Sequence, residues 1–216
     1  MPFDLPRVYP ITDALLSGLS HAEQVERLIS GGATLIQLRE KHAGSREFYN
    51  DARAALVAVR DSNVRLIIND RADIALALKA DGVHLGQSDI PVEAARRLLG
   101  EKAIIGVSTH NLAQVELAAR MPVDYVAFGP VFTTATKGNP DPVVGLNRLG
   151  EARAMLTFLP LVAIGGITAG NAPAGFAVGA DAVATIADLL CDPSQIEERT
   201  RRMLNKAQIS NLFPQV

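Results

Sequence analysis

The chain has 216 residues, a formal net charge of -2 at pH 7, 48% hydrophobic residues and only 5% aromatic residues. This length favours one domain over residues 1–216, and a core of Val, Ile, Leu and Ala is typical of a parallel sheet covered by helices. The near-neutral charge and the lack of a Lys/Arg block argue against nucleic acid and membrane surfaces as partners and favour a small charged substrate.

The N-terminal residues and the single cysteine indicate the compartment. Residues 1–9 lack the basic and then apolar pattern of a signal peptide, and no apolar run approaches the roughly 20 residues needed to cross a bilayer. Cys191 has no second cysteine to pair with, and its neighbours Leu189 and Leu190 predict that it is buried. We therefore expect a cytoplasmic protein, and the sequence leaves open whether it forms a homo-oligomer.

Eight short apolar runs with β-branched residues predict eight strands, and apolar residues at three- and four-residue spacing between them predict helices. The predicted strands are residues 8–12, 34–38, 66–68, 82–85, 103–107, 125–128, 161–164 and 182–186. Such alternation forces right-handed crossovers and a parallel sheet, either open and doubly wound or closed into a barrel. Eight units of about 27 residues favour the closed α/β fold, a single (β/α)8 or TIM barrel.

The second predicted strand ends in polar residues, at the edge where a barrel places its catalytic groups. Strand alternation puts Gln37, Arg39 and Lys41 on one face. Arg39 and Lys41 together predict an anion clamp. The alternative is that these charges are only the solvated terminus of a strand.

The third and fourth predicted strands each lead to a carboxylate. Asp70 follows one apolar strand by way of Asn69, and Asp89 follows the next strand. Mg²⁺ typically takes one or two protein carboxylates together with water and phosphate oxygens, so this pair predicts a magnesium site. Alternatively, Asp70 caps the following helix. His84 lies inside the fourth strand and is interpreted as a hydrogen-bonded interior residue rather than a proton carrier.

Hydroxyl groups and a lysine follow the fifth and sixth strands. Ser108 can donate to an anion or cap the helix after it, and both interpretations stay open. The irregular stretch 133–143 is long enough to predict a functional loop, a candidate lid. Thr134, Thr136 and Lys137 on that loop indicate that it closes on a ligand.

The last two strands end beside residues suited to phosphate. Gly165 and Gly166 follow the seventh strand, and Ile186 and Ala187 follow the eighth. Loops after these two strands frequently bind phosphate in barrels. A glycine pair exposes backbone N–H groups to an anion, although it also suits a tight turn, and its location favours phosphate.

Six motifs at consecutive strand ends resemble those of the thiamin phosphate synthase family, in order and spacing over nearly the whole chain. They are Gln-Leu-Arg-Glu-Lys at 37–41, Ile-Asn-Asp-Arg at 68–71, Asp-Gly-Val-His-Leu-Gly-Gln at 81–87 with Asp89, Phe-Gly-Pro-Val-Phe at 128–132, Thr-Ala-Thr-Lys at 134–137 and Ala-Ile-Gly-Gly at 163–166. One such motif is weak evidence, whereas six in order are specific.

The resemblance implies a transferase of thiamin biosynthesis that joins an aminopyrimidine pyrophosphate to a thiazole phosphate. It implies that the pyrimidine pyrophosphate is held by Gln37, Arg39, Lys41, Asn69, Ser108 and Lys137, with Arg39, Lys41, Ser108 and Lys137 as the catalytic residues. It further implies that Mg²⁺ is carried by Asp70 and Asp89, and that the thiazole phosphate is bound by Thr134, Thr136, Gly166, Ile186 and Ala187.

The chain departs from the family pattern after the eighth strand. Ala187 stands where a serine is usual near the thiazole phosphate, and Asp188 adds a negative charge. We therefore expect weaker binding of the second substrate. The segment 87–89 also lacks a second acid that is frequent in the family.

Three rival functions share the barrel. A thiazole tautomerase resembles this chain but uses a histidine at the position where Pro130 stands here. A catalytically silent phosphate binder would have lost clamp or metal residues, all of which are present. A sugar-phosphate epimerase would need an acid–base pair and no pyrophosphate clamp, and the loop at 134–137 argues against it.

Overall fold

The computed structural model describes residues 4–60, 62–134, 136 and 141–212, the last three of them without their side chains. Within these ranges eight parallel strands alternate with helices, which confirms the predicted (β/α)8 fold. The strands are β1 Val8–Pro10, β2 Leu35–Leu38, β3 Arg65–Asn69, β4 Gly82–Leu85, β5 Ile104–Thr109, β6 Tyr125–Phe128, β7 Leu161–Ile164 and β8 Ala182–Thr185. Each predicted strand matches one of these to within two residues at either end.

The helices pack on the outside of the strands. In chain order they are α1 Ala14–Ser17, α2 His21–Ser30, α3 Ser45–Val59, α4 Ala72–Leu78, α5 Val92–Leu99, α6 Leu112–Ala118, α7 Gly145–Met155, α8 Ala172–Ala177, α9 Ala187–Leu190 and α10 Ile196–Leu212, with a 3-10 turn at Pro193–Gln195. Apolar spacing decides which face is buried: Phe48, Ala52 and Val59 of α3 all point inwards. A capping box of Ser20 and Glu23 starts α2, and such a cap is worth about 1 kcal/mol.

The sheet closes on itself between its first and second strands. Hydrogen bonds join the strands in the order β1, β8, β7, β6, β5, β4, β3, β2. A parallel bridge between Ile11 and Gln37 completes the ring, and the backbone N–H of Thr12 donates to the carbonyl of Gln37 at 2.8 Å. All eight strands therefore end at one mouth, where the predicted site residues are brought together.

The space inside the barrel is filled by a small cluster separate from the core beneath the helices. Tyr9 and Tyr125 are its largest members, both essentially inaccessible to solvent, and their rings meet edge to face at 5.7 Å. Polar side chains of Gln37 and His84 are buried with them. The interior is thus packed solid but is not purely aliphatic.

Aspartates lock the strands at the end opposite to the mouth. In the described part of the chain, Asp81, Asp124 and Asp181 directly precede β4, β6 and β8. The carboxylate of each accepts a backbone N–H near the start of the preceding strand, at 2.8 Å from Leu66, 2.7 Å from Ile105 and 2.7 Å from Leu161. Each aspartate therefore supplies an acceptor for a backbone N–H near the start of a strand.

Arg96 on α5 binds one of these aspartates, Asp124, and its removal is expected to destabilise the fold. Its guanidinium donates to Asp124 at 2.7 Å and to the carbonyls of Ala103 at 2.6 Å and Pro122 at 2.9 Å, and the residue is only 9% exposed. Arg96→Met leaves a half-buried carboxylate and two carbonyls without this donor. We expect the free energy of unfolding in urea to fall by about 3 kcal/mol.

The neighbouring Arg97 is exposed and provides the control for this measurement. Arg97→Met should change the free energy of unfolding by less than about 0.5 kcal/mol. Equal effects of the two substitutions would show that the contacts of Arg96 add nothing to stability.

The prediction that Cys191 is buried is wrong. Leu189 and Leu190 are fully buried, but Cys191 comes directly after α9 and is exposed, with Arg199 donating to its sulfur at 3.1 Å. One further residue along a helix turns the side chain by about 100°, here from the core to the surface.

Among the residues described, no helix is both long and apolar enough to cross a membrane.

Candidate active site

The residues predicted as an anion clamp lie at the mouth and have protein partners there. Arg39 donates through Nη1 to Asp13 at 2.7 Å, and Lys41 pairs with the carboxylate of Asp70 from the neighbouring strand end. Gln37 is buried in β2, where its Nε2 donates to the hydroxyl of Tyr9 at 3.0 Å. Both cations thus have carboxylate partners, and Arg39 is largely buried whereas Lys41 is exposed.

Asp13 is a site residue that the sequence did not indicate. It follows β1, and one of its carboxylate oxygens accepts the backbone N–H of Leu16 at 3.0 Å, which starts α1. The other oxygen holds the guanidinium of Arg39. Both side chains are largely buried, so this contact fixes the direction of the guanidinium at the mouth.

The two predicted metal carboxylates come together. The backbone N–H of Asp70 donates to the carbonyl of His84 at 2.8 Å, and Asp89 Oδ2 accepts the N–H of Gly86 at 2.6 Å. Burial raises the pKa of Asp89, and the negative charge of the nearby Asp70 carboxylate raises it further. Two neighbouring carboxylates repel each other unless a cation lies beside them.

The helix-capping alternative for Asp70 is wrong. Arg71 occupies the N-cap position of α4, while the carboxylate of Asp70 contacts Lys41 instead. Asp70 also has a backbone φ of 62°, in the left-handed region that residues other than glycine rarely adopt. Such strain is typical of functional sites, where the surroundings hold a side chain in one direction.

The donor set suits a hard divalent cation that is completed by a ligand. Within the described ranges, no group of three or more His, Cys, Asp or Glu side chains could hold a metal ion. Asp70 and Asp89 supply two oxygen donors, and Mg²⁺ commonly takes one or two carboxylates with phosphate and water oxygens. Asn69 adds a buried Nδ2 group with no hydrogen-bond partner among the described residues. A ligand with acceptor oxygens would satisfy it.

Ser108 faces the interior of the barrel and does not cap a helix. Its hydroxyl lies 2.8 Å from His84 Nε2, and its backbone carbonyl accepts Gln87 Nε2 at 2.6 Å. The cap of α6 is Asn111, whose side chain accepts the N–H of Gln114 at 3.0 Å. The capping alternative is therefore wrong for this serine too.

His84 is a buried, neutral histidine, in agreement with its interpretation from the sequence. Its Nδ1 lies 2.9 Å from the hydroxyl of Tyr125, and the two rings stack at 5.5 Å. Burial lowers the pKa of His84 to about 4, against a smaller opposite effect of Asp70. An imidazole held neutral at pH 7 is a hydrogen-bond relay here and carries no charge.

The low pKa of His84 predicts acid instability. The unfolded chain protonates this histidine below its ordinary pKa of 6.5, whereas the folded chain does so only near 4. The unfolded state therefore binds more protons between these two pKa values. The contribution of His84 to stability is thus complete above pH 6.5 and is lost towards pH 4. This loss is about 3 kcal/mol. Between pH 7 and pH 4, the free energy of unfolding in urea should fall more for the wild type than for His84→Gln. Equal falls for the two proteins would contradict the prediction.

The residues predicted for the second phosphate lie around the ends of β6, β7 and β8. Thr134 and Thr136 are within 3.4 Å of each other through their hydroxyls. Lys137 and the middle of the predicted lid, at 135 and 137–140, lie outside the described residues. Ile186 precedes α9, which starts with Ala187. Asp188 accepts the N–H of Ala169 at 3.0 Å, so its carboxylate is engaged by the loop after β7.

The glycine pair after β7 has a packing role. Gly165 and Gly166 have φ values of 94° and 65°, and a Cβ on Gly166 would lie 2.4 Å from the carbonyl oxygen of Thr133. The N–H of Phe132 donates to the carbonyl of Gly165 at 3.0 Å. Glycine is thus required for the loop after β6 to lie against the end of β7.

The fold and this mouth define an α/β-barrel protein with a site suited to a small phosphorylated molecule. A family model described as "Thiamine monophosphate synthase" matches residues 8–189. The chain therefore belongs to the thiamine monophosphate synthase family, which confirms the resemblance carried by its six motifs.

Individual relatives agree with the family. The chain is 48% identical to a thiamine-phosphate synthase of Koribacter versatilis over 198 residues, covering 88% of this chain and 92% of that protein. It is also 48% identical to one of Clostridium novyi, covering 85% and 90%. A solved thiamine phosphate pyrophosphorylase of Pyrococcus furiosus superposes with a TM-score of 0.84 at 32% identity, covering 94% of this chain and 96% of that one.

Proposed function

We propose that the chain condenses 4-amino-2-methyl-5-hydroxymethylpyrimidine pyrophosphate with 4-methyl-5-(2-phosphoethyl)thiazole, giving thiamin phosphate and pyrophosphate. It is a transferase of thiamin biosynthesis, the activity in the names of its relatives. The observation that best supports the proposal is the meeting of Lys41 with Asp70 at the mouth, beside the carboxylate of Asp89. A pyrophosphate bound here would meet one positive charge, that of Lys41, and a metal ion held by the two carboxylates.

The first substrate is proposed to lie over β2 to β5. Its contacts are Gln37, Arg39, Lys41, Asn69 and Ser108, with Lys137 from the loop after β6. Arg39 and Lys41 meet negative charge, Ser108 donates to an acceptor oxygen, and the unpartnered Nδ2 of Asn69 finds an acceptor on the substrate.

Mg²⁺ is the proposed cofactor, held by Asp70 and Asp89. When bound, it would neutralise charge on the pyrophosphate as that group leaves. Lys41 pairs with Asp70 in the structure and is placed to exchange this carboxylate for a phosphate oxygen. Arg39 stays directed by Asp13, so its remaining N–H groups meet the anion without reorganisation.

Catalysis in this proposal is stabilisation of a departing anion. Arg39, Lys41 and Lys137 supply positive charge, and Ser108 supplies a hydrogen bond. The pyrimidine ring itself stabilises the cationic carbon, which the thiazole nitrogen captures. The chain therefore needs to supply no nucleophile or strong base, and the neutral, hydrogen-bonded His84 agrees with this requirement.

The thiazole phosphate is proposed to bind at the ends of β6, β7 and β8. Thr134 and Thr136 offer hydroxyls, and Gly166, Ile186 and Ala187 offer backbone N–H groups. Asp188 is engaged by Ala169, which lessens the repulsion expected from its sequence position. The lost serine hydroxyl at Ala187 still predicts weak binding of this substrate. We propose that the reaction takes place in the cytoplasm, and sizing of the purified protein would give its oligomeric state.

The test is a direct assay of the purified protein with both substrates and Mg²⁺, with and without EDTA. Thiamin phosphate and pyrophosphate should form in equal amounts, and EDTA should stop both. Binding of a substrate without product would favour the silent binder, and isomerisation of a thiazole alone would favour the tautomerase.

A further inference from the structure

Five side chains form one continuous hydrogen-bonded chain through the barrel interior. It runs from Gln37 through the hydroxyls of Tyr9 and Tyr125 to His84 and then to Ser108. The successive distances are 3.0, 2.9, 2.9 and 2.8 Å. The two ends are residues of the mouth, and the three middle members lie beneath it, at most 4% exposed.

With Nε2 of Gln37 as the donor at one end, only one direction of this chain uses every hydrogen. Gln37 Nε2 donates to Tyr9, so the hydroxyl of Tyr9 donates onward to Tyr125. Tyr125 then donates to Nδ1 of the neutral His84, whose Nε2–H donates to Ser108. In the opposite direction Tyr9 would accept from both neighbours, and its own hydrogen would find no acceptor among the described residues. Burial raises the pKa of both tyrosines, so both hydroxyls keep their protons.

The barrel is built to admit this chain. Strand pairing sets Gly106 beside His84 on one side and Tyr125 on the other. A Cβ on Gly106 would lie 2.0 Å from Cζ and 2.4 Å from the hydroxyl oxygen of Tyr125. Glycine is the residue that leaves room for the tyrosine to cross the interior and reach His84.

We propose that Tyr9, Tyr125 and His84 are positioning residues that make Ser108 a hydrogen-bond donor to the substrate anion and fix the amide orientation of Gln37. The proposal rests on the function above, in which Gln37 and Ser108 contact the first substrate. Because Ser108 accepts from His84 Nε2, its own hydrogen is directed to the ligand. His84 is therefore no base towards Ser108, although the two lie within hydrogen-bond distance.

A double-mutant cycle between Tyr125→Phe and Ser108→Ala tests this relay. Tyr125→Phe removes the link and keeps the ring that stacks on His84. We expect it to weaken the binding of pyrophosphate with Mg²⁺, measured by calorimetry, roughly fivefold, and to raise KM for the pyrimidine pyrophosphate more than it lowers kcat. In the Ser108→Ala background the same change should cost less than about twofold.

Tyr49→Phe, on α3 outside the barrel, is the matched control and should leave pyrophosphate binding unchanged. Equal losses from Tyr125→Phe in both backgrounds would overturn the proposal, because they would indicate a general structural effect. Wild-type affinity of Tyr125→Phe, or absence of pyrophosphate binding by the unaltered protein, would overturn it as well.

If Tyr125→Phe fails to fold, two substitutions of His84 decide the matter. The amide of His84→Gln can accept from Tyr125 and donate to Ser108, whereas His84→Leu can do neither. The glutamine variant should retain more pyrophosphate affinity than the leucine variant, and equal losses would overturn the relay. The measurements of pyrophosphate affinity need no turnover, so a wild type that binds pyrophosphate but makes no thiamin phosphate would reject the proposed function alone.

Discussion

Asp70→Asn is expected to abolish Mg²⁺-dependent formation of thiamin phosphate. The substitution removes one of two carboxylates that meet at the mouth and takes the partner from Lys41. Asparagine tolerates the left-handed backbone at φ 62° better than most residues do, so the fold is expected to survive. Turnover should be measured over a range of Mg²⁺ concentrations, with a loss of at least about a hundredfold at limiting metal.

Asp73→Asn is the control for the metal site. Asp73 is an exposed carboxylate in the first turn of α4 and pairs with Arg71. It should leave the dependence on Mg²⁺ unchanged. Wild-type turnover by Asp70→Asn at limiting Mg²⁺ would remove the metal assignment, while the barrel and the family would stand.

Lys41→Met is expected to lower kcat by about a hundredfold with both substrates saturating. Lys41 pairs with Asp70, and this pairing holds it where a leaving pyrophosphate would gather charge. Lys41→Arg keeps the positive charge but changes its shape, so it should recover part of the rate.

Lys102→Met is the matched control, because this exposed lysine lies before β5 at the opposite end of the barrel. It should leave kcat within about twofold of the wild type. If Lys41→Met kept the wild-type kcat and only raised KM, the lysine would be a ground-state binding residue and would have no part in expelling pyrophosphate.

The fold and the outline of the site could be predicted because both follow from local patterns. Each strand is a short apolar run that ends in polar residues, and a parallel barrel brings all such ends to one mouth. Arg39, Lys41, Asp70 and Asp89 were expected to meet there on that basis alone, and the structure places Lys41, Asp70 and Asp89 together. A single domain over residues 1–216 stays a prediction.

The parts that could not be predicted depend on contacts between residues distant in sequence. Tyr9 and Tyr125 are apolar-run residues by pattern, and only the closed barrel brings their hydroxyls within 2.9 Å. Gly106 carried the one available signal, because glycine inside a strand marks a close approach of another group. Asp13 gave no signal in the sequence, because its partner Arg39 comes 26 residues later, directly after β2.

The aspartates before β4, β6 and β8 bear on how such a barrel evolves. Each ties a pair of strands together at the end farthest from the substrates, so most of that stabilisation is independent of the mouth. Residues around the site can then accumulate destabilising changes, such as the strained Asp70, without unfolding the chain. Such a barrel can acquire new substrates through substitutions at the mouth, because the opposite end of the barrel keeps the fold stable.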